Sequence, residues 1–128
     1  MAGEPILIVD DNPGNTKLVS FLLGSRGYPV RTAASGVEAL ALIAEELPRL
    51  VLMDLQMPGM DGYELTRRLK SETRTRGIVV VAVTAYAMKG DEERALDAGC
   101  DGYMTKPIDT RSFADVVSGL LSRGSRSP

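Results

Sequence analysis

Leu50-Val-Leu-Met53-Asp54 decides how this chain folds, because four apolar side chains run without a polar break straight into an acid. A strand with one wet face alternates polar and apolar residues, whereas an uninterrupted run suits a strand covered on both faces, as in a parallel sheet. The same pattern stands in Ile6-Leu-Ile-Val9, which leads into Asp10-Asp11, and in Ile78-Val-Val-Val-Ala-Val83, which leads into Thr84. Two weaker strands are expected at about Val30–Ala33 and Gly102–Met104.

The segments between these runs carry a helical period. Leu40, Ile43, Ala44 and Leu47 follow the i, i+3, i+4, i+7 rule, and so do Phe113, Val116, Val117, Leu120 and Leu121. Asn12-Pro13 offers a cap and a first-turn proline to a helix carrying Leu18, Val19 and Leu22, which Gly24 and Gly27 close. Leu65 and Leu69 mark another helix after Gly62, and a last one spans about Met88–Ala98 with a thin apolar stripe of Met88, Ala95 and Leu96. Strands alternating with helices make five βα units, which right-handed crossovers wind into a doubly wound α/β fold with a parallel sheet.

The chain has 128 residues, 44% of them apolar, which suffices for one ordinary core and leaves no room for a second. Residues 5–122 are expected to form the domain, with a short extension at 1–4 and a flexible polar tail at 123–128. Fifteen Lys+Arg against seventeen Asp+Glu give a net charge of −2, so no global field drives the protein onto nucleic acid or an anionic membrane. The one cysteine, Cys100, fits neither a metal-ligand spacing nor an internal disulfide, which points to a reducing compartment. No run approaches the ~20 apolar residues of a membrane span, and no secretory pattern opens the chain. A soluble, cytoplasmic protein is expected.

Asp10 and Asp11 directly follow the first apolar run and Asp54 directly follows the third. In a doubly wound sheet of order 2-1-3-4-5 those strands are neighbours, and ligands bind beyond their carboxyl ends. Such packing gathers three carboxylates into one crevice, where like charges cost free energy unless a cation neutralises them; a donor set of oxygens alone suits Mg²⁺ or Mn²⁺. Any one of these acids alone would be read as a loop-capping aspartate. Thr84 and Lys106 end strands on the same edge, and a hydroxyl and an ammonium beside an acidic crevice make sense if a phosphoryl group is held next to the metal.

At this point the pattern resembles a known family. Asp10-Asp11, Leu52-Met-Asp54-Leu-Gln-Met-Pro58-Gly-Met-Asp61-Gly62, Val83-Thr84-Ala85 and Lys106-Pro107 resemble, in order and spacing, the motif set of response-regulator receiver domains, over roughly residues 5–122. The stretches Val81–Arg94 and Gly99–Ile108 are similar to stand-alone cell-cycle-type regulators and to the receivers of hybrid histidine kinases. The resemblance implies a (βα)5 flavodoxin-like, CheY-like fold and a switch in a two-component phosphorelay. Asp54 becomes the phosphoacceptor, charged by a histidine kinase or histidine phosphotransfer protein. Asp11, Asp54 and the backbone carbonyl of Gln56 become ligands of Mg²⁺, with Asp10 acting through bound water. Lys106 pairs with the phosphoryl oxygens and Thr84 hydrogen-bonds one of them. Gln56 and Tyr86 flank the path of the hydrolytic water.

Several structural aids follow from the same resemblance. Lys106-Pro107 is expected as a cis peptide, and Gly62 is expected to supply a turn conformation that a Cβ disfavours. Tyr103 is expected to swing from outward to inward when Thr84 moves, so that Ala87, Met88, Lys89, Tyr103, Ile108 and Asp109 form the face a downstream protein reads. Met53 and Met104 are expected to fill core gaps, with Met57, Met60 and Met88 on a contact surface.

Rival readings fare worse. A strand-end aspartate with Mg²⁺ also resembles haloacid-dehalogenase-type phosphatases, but Asp54-Leu-Gln56 lacks their second aspartate and sits on the third strand rather than the first. No G-x-G-x-x-G or G-x-x-x-x-G-K-[ST] follows a strand, which excludes the common nucleotide folds. Arg67, Arg68, Lys70, Arg74 and Arg76 read as a solvated helix face diluted by Glu64 and Glu72, and not as a nucleic-acid site. A pseudo-receiver that works unphosphorylated would have no need of the complete motif set.

Overall fold

Each uninterrupted apolar run is a strand, and the computed structural model, which describes residues 3–57, 59–85, 89–106 and 108–123, joins them through helices. The order is β1 (Ile6–Val9), α1 (Pro13–Gly24), β2 (Val30–Ala33), α2 (Gly36–Glu45), β3 (Leu50–Asp54), α3 (Gly62–Ser71), β4 (Val79–Thr84), α4 (Asp91–Ala98), β5 (Gly102–Thr105) and α5 (Phe113–Arg123). All pairings are parallel, in the sheet order β2-β1-β3-β4-β5 expected from the sequence.

The register explains why the runs had to be apolar throughout. Ile6, Ile8, Leu50, Leu52, Val79, Val81 and Val83 point to one face and pack with Val19 and Leu23 of α1 and Val117, Leu120 and Leu121 of α5. Their sequence neighbours Leu7, Val9, Val51, Met53, Val80 and Ala82 point to the other, against Ile43 of α2, Leu65 and Leu69 of α3 and Ala95 of α4. Alternate side chains of one strand thus enter two different cores.

Helix ends follow local chemistry. The Asn12 side chain accepts the backbone N–H groups of Gly14 and Asn15, with Pro13 in the first turn, as the sequence suggested. Ser35 accepts the N–H of Glu38, whose carboxylate in turn accepts from Ala34, a variant of the capping box. Periodicity placed Leu47 on α2, but the helix stops at Glu45 and Leu47 is exposed. Pro48 disfavours helical backbone in the residue before it. The Arg31 guanidinium of β2 donates to the carbonyls of Leu42 and Glu46, closing a helix end that has no basic residue of its own.

The thin helix α4 buries only Ala95 and Ala98 and starts at Gly90, which has φ of 90° and offers no side-chain cap. Two features compensate. Asp91, Glu92 and Glu93 complement the positive end of the helix, and the Arg94 guanidinium lies 4.1 Å from the centre of the Tyr63 ring on α3. Below it, at the end of the sheet away from the acidic crevice, the buried Lys70 ammonium donates to Asp101 at 2.9 Å and to the carbonyls of Ile78 and Arg76. Asp101 also accepts the Val80 N–H at 2.8 Å, so one ion pair ties α3 to β4 and β5.

The methionines divide differently from expectation. Met53 is fully buried and Met104 packs partly buried, as expected, but Met57 belongs to the core rather than to a contact surface. Met60 lies against Gly36 at the start of α2, where an added Cβ would meet its sulfur at 3.0 Å. Met60 thus holds the loop after β3 against the start of α2.

Candidate functional site

Parallel strands carry all their carboxyl ends to one edge, and the polar residues that end β1, β3, β4 and β5 meet there. Asp10 and Asp54 are buried, Thr84 is fully so, and Asp11 stands exposed at the rim. Ligand oxygens of Asp10, Asp11 and Asp54 lie within 4.8 Å of one another. The Lys106 ammonium bridges two of them, 3.3 Å from Asp10 Oδ2 and 3.4 Å from Asp54 Oδ2. One cation among three carboxylates leaves the cluster with excess negative charge in partly desolvated surroundings, which is the condition that favours a second cation.

Each acid is held differently. Asp10 Oδ1 accepts the Asn12 N–H at 2.9 Å, and Oδ2 accepts the Asn15 side-chain amide at 2.6 Å. Asp54 Oδ1 accepts the Gln56 N–H at 3.0 Å. No hydrogen bond among the described residues holds the Asp11 carboxylate. Burial raises the Asp54 carboxyl above its ordinary pKa; the Gln56 N–H and the Lys106 ammonium oppose the rise, and Asp10 adds to it. Burial works against the Lys106 ammonium too, but the carboxylates of Asp54 and Asp10 outweigh it and the net shift is upward.

Thr84 donates its hydroxyl to the side-chain Oε1 of Gln56 at 2.7 Å, so the Gln56 side chain faces the strand that carries the threonine. Tyr103 is half-buried, packed against the core cluster of α2, α3 and α4, and its hydroxyl pKa is raised first by burial and then by the Asp91 carboxylate. Beside it a groove of about 390 Å³ runs between β5 and the start of α5, lined by Tyr103, Ile108, Asp109, Ser112 and Val116 among others. Tyr86, Ala87, Met88 and Pro107, the last with its expected cis peptide, lie outside the described residues.

Gly62 is needed for a reason other than the one expected. It does not have positive φ; Gly59, with φ of 80°, holds the left-handed position in this loop. A Cβ on Gly62 would meet Leu55 Cδ2 at 2.8 Å and the Asp54 carbonyl oxygen at 3.0 Å, so the glycine lets α3 start against the strand that ends in Asp54. Sequence reasoning missed Asn15 altogether, and it gave Gln56 a backbone carbonyl for the metal and a place beside the hydrolytic water but not the hydrogen bond with Thr84. An amide on the first turn of the helix that follows Asp10-Asp11 was the available signal for Asn15.

Comparison with known proteins agrees with this geometry. The model of the response regulator receiver domain family matches residues 6–118, and the chain belongs to that family. The protein is a receiver domain of two-component signalling, the class whose members change state on phosphorylation. It is 45% identical over 118 residues to the polar-differentiation response regulator DivK of Brucella ovis, covering 92% of this chain and 96% of the relative. Among solved structures it is similar to the receiver domain of a signal transduction histidine kinase from Syntrophus aciditrophicus, with 34% identity, a TM-score of 0.87 and coverage of 98% and 96% of the two chains. It is also similar to the receiver domain of a sensor histidine kinase from Pseudomonas aeruginosa, at 33% identity and a TM-score of 0.85, over 94% of this chain and 99% of that one. That structure carries a magnesium ion coordinated in its active-site cleft.

Proposed function

We propose that Asp54 is the phosphoryl acceptor of this receiver, charged by the phosphohistidine of a histidine kinase or histidine phosphotransfer protein. The observation that carries the reading is the Lys106 ammonium shared between Asp10 and Asp54, with Asp11 alongside and Thr84 on the same edge. An Asp54 oxygen attacks phosphorus, the P–N bond to histidine breaks, and an acyl phosphate remains on Asp54. Water later cleaves that bond and regenerates the carboxylate. This is self-catalysed transfer and slow dephosphorylation rather than turnover of a free substrate.

The carboxylate cluster fits a hard divalent cation, Mg²⁺ or Mn²⁺, held by Asp11, Asp54 and the Gln56 carbonyl, with Asp10 supporting. When bound, the ion supplies charge neutralisation for the incoming phosphoryl oxygens. Lys106, already poised on Asp54, pairs with one of those oxygens. Thr84 exchanges Gln56 Oε1 for another, and this exchange is the event that links the phosphoryl group to β4. The half-buried Tyr103 and the marginal helix α4 respond to it, which makes Lys89, Tyr103, Ile108 and Asp109, with Ala87 and Met88 of the same segment, the face a downstream protein reads.

Direct nucleic-acid binding is not part of this reading, because the basic run is dispersed in the fold. Lys70 turns inward to Asp101, Arg68 pairs with Glu64, and Arg74 donates to the Ala44 carbonyl. No helix among the described residues is long and apolar enough to cross a membrane, which accords with a cytoplasmic partner kinase domain. The test is phosphorylation by acetyl phosphate. Incorporation should require Mg²⁺ and vanish in Asp54→Asn; unchanged stoichiometry in that variant would place the acceptor elsewhere.

A further inference from the structure

We propose that Asn15 is a positioning residue of the cation site, acting through Asp10. The paired acids are held unequally. Asp11 is exposed and no hydrogen bond among the described residues holds its carboxylate, whereas Asp10 is buried and has both oxygens engaged: Oδ1 by the Asn12 N–H, and Oδ2 by the Asn15 amide at 2.6 Å and the Lys106 ammonium at 3.3 Å. Two donors on different oxygens fix both the position and the plane of a carboxylate. Asn12 and Asn15 are also adjoining parts of one device, since Asn12 caps α1 and accepts the backbone N–H of Asn15. The helix start and the acid are therefore set relative to each other.

Without the amide, the buried Oδ2 keeps, among the described residues, only Lys106, which also faces Asp54. An incompletely satisfied buried oxygen draws in the donor that remains. Lys106 then moves toward Asp10 and away from Asp54, carrying positive charge across the crevice that a divalent cation has to share. Asp10 Oδ2 is then oriented by a side chain it shares with Asp54 rather than by an amide set on α1. Hydrogen-bonding partners one layer out from metal ligands typically matter by ~10–100-fold in affinity, and the lower end suits an acid that supports the ion through water. Asn15 thus decides that Asp11, not Asp10, is the acid left free to meet the cation directly.

The inference rests on the cation reading above, and the experiment separates the two. Mg²⁺ affinity is measured by isothermal titration calorimetry on the parent, on Asn15→Ala, which removes the donor while favouring helix, and on Asn15→Gln, which keeps an amide. The half-saturating Mg²⁺ for phosphorylation by acetyl phosphate is measured in parallel. Asn15→Ala should weaken Mg²⁺ binding about ten-fold and shift the half-saturating concentration by the same factor, with Asn15→Gln recovering most of the loss. A purely structural role would lower the melting temperature and leave Mg²⁺ affinity alone. Affinity in Asn15→Ala within two-fold of the parent or tighter, or Asn15→Gln no better than Asn15→Ala, overturns the role of the amide while the cation site stands. Failure of the parent itself to bind Mg²⁺ sinks both.

Discussion

Replacing Gly62 with alanine puts a methyl group where the structure has no room for one. The new Cβ would lie 2.8 Å from Leu55 Cδ2, 3.0 Å from the Asp54 carbonyl oxygen and 3.1 Å from Leu55 Cα. The leucine methyl can swing aside, but the other two atoms are backbone, so the end of β3 or the start of α3 has to retreat by several tenths of an ångström. Overpacking of this kind costs ~1–3 kcal/mol. Helix propensity acts in the opposite direction, favouring alanine over glycine by ~1 kcal/mol. The steric cost wins, leaving a net loss of up to about 2 kcal/mol. For a domain of this size that corresponds to a drop of up to about 7 °C in melting temperature. Differential scanning calorimetry of Gly62→Ala decides the matter, and the retreating strand end carries Asp54, so acetyl phosphate should label the variant more slowly as well. A melting temperature equal to the parent's or higher would show that propensity dominates and that the close approach to β3 is not what requires glycine.

Lys70→Met should lower stability by ~3–5 kcal/mol, read from urea unfolding, because it leaves the Asp101 carboxylate buried beside Val80 without its cation; a loss below about 1 kcal/mol would show that the remaining donors suffice. Burial raises the Asp54 carboxyl above its ordinary 3.8, so ionising it costs the native state stability, a cost absent below that value and complete above the raised one. In the absence of Mg²⁺, Asp54→Asn should therefore melt above the parent at neutral pH, with the gap closing as pH falls toward 3.8; a gap independent of pH contradicts the assignment. Mg²⁺ at one hundred times its dissociation constant should stabilise the parent by ~2.7 kcal/mol and Asp11→Asn by much less, and equal stabilisation of the two would remove Asp11 from the site.

Strand identity and the edge on which the polar residues gather were legible in the chain itself, and the strand order was implied by the resemblance to the receiver family. The reason is local: the middle of a strand covered on both faces is apolar, so the first polar residue after each run marks the strand's carboxyl end. Asp10, Asp54 and Thr84 are placed by that rule alone. α4 was legible as a helix with little to bury, but it starts at Asp91 and buries Ala95 and Ala98 rather than the stripe through Leu96.

What the sequence could not settle depends on distances between residues remote in the chain. Leu47 obeys the helical period, yet Pro48 and the Arg31 guanidinium from another strand end the helix before it. Met57 looks like a surface methionine in a loop until the fold buries it in the core that α2, α3 and α4 share. Gly62 invites a conformational explanation, and only the proximity of Leu55 and the Asp54 carbonyl shows that the requirement is space. Asn15 carries no periodicity or charge of its own, and the motif around Asp54 says nothing of where the Gln56 side chain turns. Their roles arise because the fold brings one amide onto Asp10 and the other onto Thr84, and a hydrogen bond is decided by tenths of an ångström that composition does not encode.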